Sequence, residues 1–228
     1  MFSTQTYRRP ATLLALTIIT CSMAQFASAD EEHYDIGVWN DNGTLMTGGF
    51  DHDTETLAVQ NLRVFEAEFG EDKLFPFSTD EPGIGGVAAD IGLMEGSTIN
   101  LNISAGLGVW NGSGFNYGTA NSMTIDFGLT SVSTDIGGTL DFLVTEDFDL
   151  HPIWTIDSGA SNGAYLVELT AAMDGYNTSE TFYVVFNLGL DEDAYETSVD
   201  WVNDNLIPAP GVLALLGMGG LAARRRRG

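Results

Sequence analysis

Three histidines could do chemistry in this chain: His33, His52 and His151. The single cysteine, Cys21, lies in the N-terminal stretch. Zinc takes three or four nitrogen or sulfur ligands, sometimes with carboxylate oxygens. A site here needs all three histidines, or histidine joined to carboxylates. Two local clusters offer that: His33 beside the acids from Asp30 to Asp35, and Asp51-His52-Asp53. His33, Asp51, His52 and Asp53 are therefore the candidate metal ligands, with zinc or calcium as the ion. The competing reading is exposed loop histidines among acids that are common throughout the chain. The calcium-like alternations Asp51-x-Asp53-x-Glu55 and Asp191-x-Asp193 are not standard loops. Thr56 and Glu196 stand where an EF-hand needs glycine, and Leu62 and Val202 where it needs glutamate.

Nucleophilic hydrolysis has no visible machinery. A serine nucleophile needs a base and an oxyanion hole, and no G-x-S-x-G elbow occurs. Paired carboxylates can cleave glycosides, but thirty-two acids nominate no particular pair. No catalytic residue and no resident cofactor are assigned, and the chain is expected not to be an enzyme. Trp39, Trp110, Phe115, Tyr117 and Trp154 could stack on sugar rings or fill a core.

Charge is sharply zoned. All 32 Asp and Glu lie between Asp30 and Asp204, a segment whose basic residues are Arg63 and Lys73, for a net −30. Such a surface repels phosphates, so nucleic-acid binding is set aside. A solvated acidic surface and a cation-binding surface both remain open.

The ends explain the zoning. Residues 1–29 carry Arg8 and Arg9, an apolar stretch from Ala11 to Ile19, and Ala27-Ser28-Ala29. That is the layout of a secretory signal peptide, with Ala27 and Ala29 at the cleavage site. Residues 30–206 form the acidic domain, which would hold no cysteine. Residues 207–228 form the tail. Its apolar stretch from Gly211 to Ala223 has 13 residues. As a helix it would span roughly 20 Å, short of the ~30 Å hydrocarbon core. Arg224, Arg225, Arg226 and Arg227 then form a stop signal on the cytoplasmic side. Pro208-Ala209-Pro210, the Leu213 to Leu221 stretch and the arginine cluster together resemble the PEP-CTERM sorting signal of exported bacterial proteins. Ala209 occupies the position where that signal usually has Glu. The resemblance implies a transient stay in the inner membrane and cutting near the tripeptide by an exosortase-like enzyme.

Between the ends the pattern is all-β. Apolar residues alternate over Thr98 to Ser104, Met123 to Phe127, Leu140 to Val144, Ala164 to Leu169 and Phe182 to Phe186. Arg63 to Phe69 alternates as well, with Val64 out of phase. Asn42-Gly43, Gly48-Gly49, Gly85-Gly86, Gly137-Gly138, Asn162-Gly163 and Asp174-Gly175 read as turns. Short strands and glycine turns predict a single β-sandwich domain, with a jelly roll as one topology. The segment from Asp191 to Asp204 is an acidic spacer or a short helix.

Segments from His33-Tyr34-Asp35-Ile36 to Phe182-Tyr183-Val184-Val185-Phe186-Asn187 are similar in order to a PEP-CTERM surface family named for repression by the zinc uptake regulator. The intervening matches include Trp110-Asn111-Gly112 and Tyr165-Leu166-Val167-Glu168-Leu169. The resemblance implies a link to zinc shortage and a histidine pair near Leu150-His151-Pro152, where His151 stands alone. That absence argues against a metal role there. The expected function is an exported cell-surface or matrix protein, structural or adhesive, associated with extracellular polysaccharide. A secreted calcium- or zinc-binding protein and a polysaccharide hydrolase are the alternatives.

Overall fold

In the computed structural model, residues 33–208 are described. The proposed signal peptide with Ala27 and Ala29, and the tail residues Ala209, Pro210 and Arg224 to Arg227, lie outside them.

The described strands, in chain order, are β1 (Asp35–Asp41), β2 (Thr44–Asp51), β3 (Thr56–Gln60), β4 (Val64–Glu68), β5 (Ser78–Thr79) and β6 (Ile84–Val87). A short helix α1 (Ala88–Ile91) follows. Then come β7 (Thr98–Ile103), β8 (Gly108–Trp110), β9 (Phe115–Asn116), β10 (Met123–Phe127), β11 (Thr130–Ser133) and β12 (Thr139–Leu143). The last strands are β13 (Asp147–Leu150), β14 (Ile153–Ile156), β15 (Gly163–Ala172) and β16 (Phe182–Leu188), before helix α2 (Glu192–Leu206). The fold is all-β; the described residues form three sheets, ordered β13-β6-β1-β2-β3, β11-β10-β14-β5 and β12-β7-β15-β16-β4, with β8 and β9 added beside β15.

Local chemistry accounts for much of this. Asn42 (φ 52°) and Gly43 (φ 91°) both adopt positive φ, which a two-residue hairpin between β1 and β2 requires. Gly137-Gly138 and Asp174-Gly175 also fall in connections. Gly48-Gly49 and Gly85-Gly86 do not: they lie inside β2 and β6. Their role is close approach. A Cβ on Gly85 would sit 2.1 Å from Phe50 Cδ1, and one on Gly49 2.8 Å from the Tyr34 ring. Gly85→Ala should therefore lower stability by about 1–3 kcal/mol through overpacking. Urea unfolding checks this, and an unchanged midpoint would contradict it.

Apolar faces from all three sheets meet in one core cluster, including Ile36, Ile125, Trp154, Leu101, Val167 and Phe186. Phe69 stacks on Phe186 at 5.3 Å, and Trp154 meets the same ring at 5.2 Å. All seven residues of β16 are buried. Its Phe182, Val184 and Phe186 enter the main core, while Tyr183 and Val185 enter a second cluster with Tyr195, Val199 and Val202 of α2. Val64 belongs to that second cluster, which explains its departure from alternation.

The acidic segment after β16 is thus a packed helix. The Asp191 carboxylate accepts the Ala194 N–H at its start, and Glu192 and Asp193 occupy the first turn. Both features favour a helix N-terminus. Tyr195, Val199, Val202 and Leu206 recur at helical spacing on the packed side.

Candidate metal centre

Strand register gathers the site. β1 runs parallel to β6 with Ile36 opposite Ile84. β13 runs antiparallel to β6 with Leu150 opposite Ile84. The residues just beyond those pairs, Asp35, Gly83 and His151, therefore meet at one end of the sheet. The backbone links them further: Ile36 N–H donates to Gly83 O at 3.0 Å, and Gly83 N–H donates to Asp35 Oδ1 at 2.6 Å. The Glu81–Pro82 peptide is cis, and Trp154 Nε1–H donates to Pro82 O at 3.2 Å.

One ligand atom from each of Asp35, Glu81 and His151 lies within 4.8 Å of the others. Asp35 is 3% exposed, and its Oδ2 is buried without a hydrogen-bond donor. His151 Nε2 stands 4.0 Å from that oxygen. The imidazole is otherwise clamped, with Nδ1 3.0 Å from Asp80 O and Nε2 2.8 Å from Asp149 Oδ1. Glu81 Oε1 lies 3.6 Å from Nδ1.

Electrostatics fit the crowding. Burial, then the Asp35 charge and a hydrogen bond shared with the Asp35 carboxyl, push the Glu81 carboxyl up to about 7, with His151 opposing. For His151, burial favours the neutral ring. The Asp80 carbonyl and the carboxylates of Asp35, Glu81 and Asp149 outweigh it and hold the ring above the ordinary histidine value. Two carboxyl groups facing each other need a proton or a cation between them. Either would give Asp35 Oδ2 its missing partner. One imidazole with carboxylates is a donor set suited to a divalent ion.

Gly83 makes the assembly possible. A Cβ there would lie 2.8 Å from His151 Cε1 and 2.9 Å from Asp35 Oδ1. Gly83→Ala should displace the ring from the carboxylate and weaken cation binding by about tenfold or more, in line with losing a ligand-orienting contact. Calorimetric titration of the variant reads this; wild-type affinity would contradict the arrangement.

The histidine and acids singled out by local spacing sit elsewhere. His33 is exposed ahead of β1. Asp51, His52 and Asp53 enter the exposed β2–β3 connection. There Asp51 accepts from the Asp53 and Thr54 N–H groups and from the Thr54 hydroxyl, which holds its carboxyl below the usual value. His52 Nε2 lies 3.5 Å from Asp53 Oδ1. Among the described residues, the group of three or more potential ligands is Asp35, Glu81 and His151. His151 takes part without a second histidine because its partners are carboxylates from other segments.

The aromatic residues also sort differently. Trp154 and Phe115 are buried and cannot stack on a ligand. Trp39 is half-buried. Trp110 is half-buried against Phe115 at 5.2 Å and Trp201 at 6.1 Å. Tyr117 is exposed and donates its hydroxyl hydrogen to Glu168.

Comparison with family models, curated proteins and solved structures found no match to this chain. Among the described residues, no helix is long and apolar enough to cross a membrane.

Proposed function

We propose that this chain is an exported bacterial surface or matrix protein whose domain is fastened by a divalent cation at Asp35, Glu81 and His151. The buried, unpartnered Asp35 Oδ2 carries the cation reading. A buried carboxylate oxygen facing a second carboxyl is costly, and a cation held between the two groups and His151 removes that cost. The reading is non-catalytic: Asp35 is too deeply buried for a polymer substrate to reach. The architecture proposed is a β-sandwich, supported by sheets that share one apolar cluster. Elemental analysis of protein purified without chelator tests the site. About one equivalent of a divalent metal is expected; protein that stays metal-free after incubation with zinc, manganese or calcium contradicts it.

Association with extracellular polysaccharide is the second reading. It is supported by the incompletely buried rings of Trp110, Trp201 and Tyr117. Sorting by an exosortase-like enzyme rests on Pro208, Ala209, Pro210 and Arg224 to Arg227. The end of α2 at Leu206 supports it, because the tripeptide follows at once. Mass spectrometry of protein released into the medium should find a C-terminus near the tripeptide. An intact tail on the released form would contradict processing.

A further inference from the structure

We infer that Asn111 is a site of spontaneous modification: the Gly112 nitrogen attacks its side-chain amide, ammonia leaves, and aspartate or isoaspartate remains in the β8–β9 connection. This is independent of the cation centre.

The reaction makes three demands. The next residue's backbone nitrogen must be free to lose its proton and reach the amide carbon. The amide oxygen needs donors, because it carries the negative charge when that carbon becomes tetrahedral. The attacking residue must also be unhindered, which favours glycine. Three Asn-Gly pairs occur in the chain: Asn42-Gly43, Asn111-Gly112 and Asn162-Gly163. The fold treats them differently.

Asn111, Gly112 and Ser113 are all exposed, in a turn closed by the Asn111 N–H donating to Gly114 O at 3.0 Å. The Ser113 N–H and the Ser113 hydroxyl both donate to Asn111 Oδ1, each at 3.0 Å. A backbone N–H can only donate, so the atom facing it is the oxygen and not the amide nitrogen that must leave. Among the described residues none accepts the Gly112 N–H. Apart from its chain neighbours, nothing lies within 4 Å of where a Gly112 Cβ would be. The other two pairs are restrained. The Gly43 N–H donates to Asn40 Oδ1 at 2.7 Å, so a deprotonated nitrogen there would face an acceptor oxygen. The Asn42 amide nitrogen is itself held by Asp41 Oδ1 at 2.7 Å. Asn162 is tied through its amide nitrogen to Gly189 O at 3.1 Å, and Gly163 is fixed in β15 opposite Leu188.

The balance needs only water. Hydroxide takes the Gly112 N–H proton, and the nitrogen bonds to Asn111 Cγ. The two Ser113 donors hold the resulting oxyanion. The bond from Cγ to the amide nitrogen breaks, water supplies the proton, and ammonia departs from a five-membered succinimide. Water then opens either carbonyl of the ring. One opening leaves aspartate, and the other leaves isoaspartate, whose backbone runs through Cβ. Both add a carboxylate beside Trp110.

The test incubates the full chain in mildly alkaline buffer, with a parallel sample in urea, and maps both by digestion and mass spectrometry over time. In the folded protein Asn111 should convert at least about tenfold faster than Asn42 or Asn162, giving aspartate and isoaspartate together. In urea the three pairs should convert at similar rates. Ser113→Ala keeps the N–H donor and loses the hydroxyl. It should slow Asn111 by about tenfold relative to its own rate in urea, less than the roughly 10²–10³-fold of a donor lost from a closed active site. Ser113→Thr should keep most of the wild-type rate. Equal rates at the three pairs in the folded protein, or an intact Asn111 once another pair has converted, overturn the site. Aspartate without isoaspartate overturns the succinimide route. Wild-type speed in Ser113→Ala overturns the part given to the hydroxyl.

Discussion

Trp154→Ala should lower the unfolding free energy by about 3–5 kcal/mol, the range for deleting a large buried aromatic side chain. The ring is 1% exposed and lies against Phe186, where the main core is built. Its strand pairs with β10 through Ile125 and with β5 through Thr79. Truncation would therefore open a cavity between two pairings that rigid neighbours cannot close. Trp154 Nε1–H also holds Pro82 O, next to Glu81. The variant should consequently bind cations more weakly as well as unfold earlier. Trp154→Phe separates the two roles: it keeps much of the volume but leaves the Pro82 carbonyl without its donor, at a cost of about 1–3 kcal/mol. Urea unfolding of the three proteins reads both effects. A loss below about 1 kcal/mol for Trp154→Ala would mean that the core is not organised around this ring.

Asp35→Asn should have opposite consequences with and without metal. Asparagine keeps a carbonyl oxygen to accept the Gly83 N–H. It also puts an amide donor where Oδ2 now has none, facing the Glu81 carboxyl. In chelator the variant should match or exceed wild-type stability, by up to about 1 kcal/mol, the value of one added hydrogen bond. With cation at about 100 times its Kd, the wild type gains about 2.7 kcal/mol and the variant nothing. Asp35→Ala, which removes both oxygens, should destabilise the protein by about 1–3 kcal/mol in either condition, because the buried Gly83 N–H loses its shorter acceptor and keeps the longer one, Glu81 Oε2 at 3.3 Å. Thermal melts of these variants with and without zinc decide the matter. A zinc response in Asp35→Asn equal to that of wild type would place the cation somewhere else.

The strands were legible where one face is wet. β7, β10 and β12 follow the alternation of their apolar residues; β15 is buried on both faces from Ala164 to Val167, with Tyr165 and Val167 in the main core and Ala164 and Leu166 in the second cluster. β16 was legible as a strand but not as one buried on both faces, because its second cover, α2, comes from an acidic stretch with few apolar residues. Gly48-Gly49 and Gly85-Gly86 carry a turn signal in sequence. What they provide is room for Phe50 and Tyr34, which no local pattern reveals.

The centre was hidden for a related reason. Asp35, Glu81 and His151 come from separate segments that meet through pairing around β6, parallel on one side and antiparallel on the other. No spacing encodes that register. Asp51-His52-Asp53 looked more like a site because its residues are adjacent, but adjacency there produces a turn. The remaining signal, Glu81-Pro82-Gly83, places an acid before a tight connection and becomes meaningful once Gly83 is seen against the His151 ring.

The central claim is that a divalent cation completes the Asp35–Glu81–His151 cluster. Its most direct test is calorimetric melting of the full chain, first in excess chelator and then with zinc at about 100 times its Kd. The linkage gain of about 2.7 kcal/mol should raise the midpoint by about 5–10 °C for a protein of this size. One midpoint shared by chelator, zinc, manganese and calcium would contradict the claim.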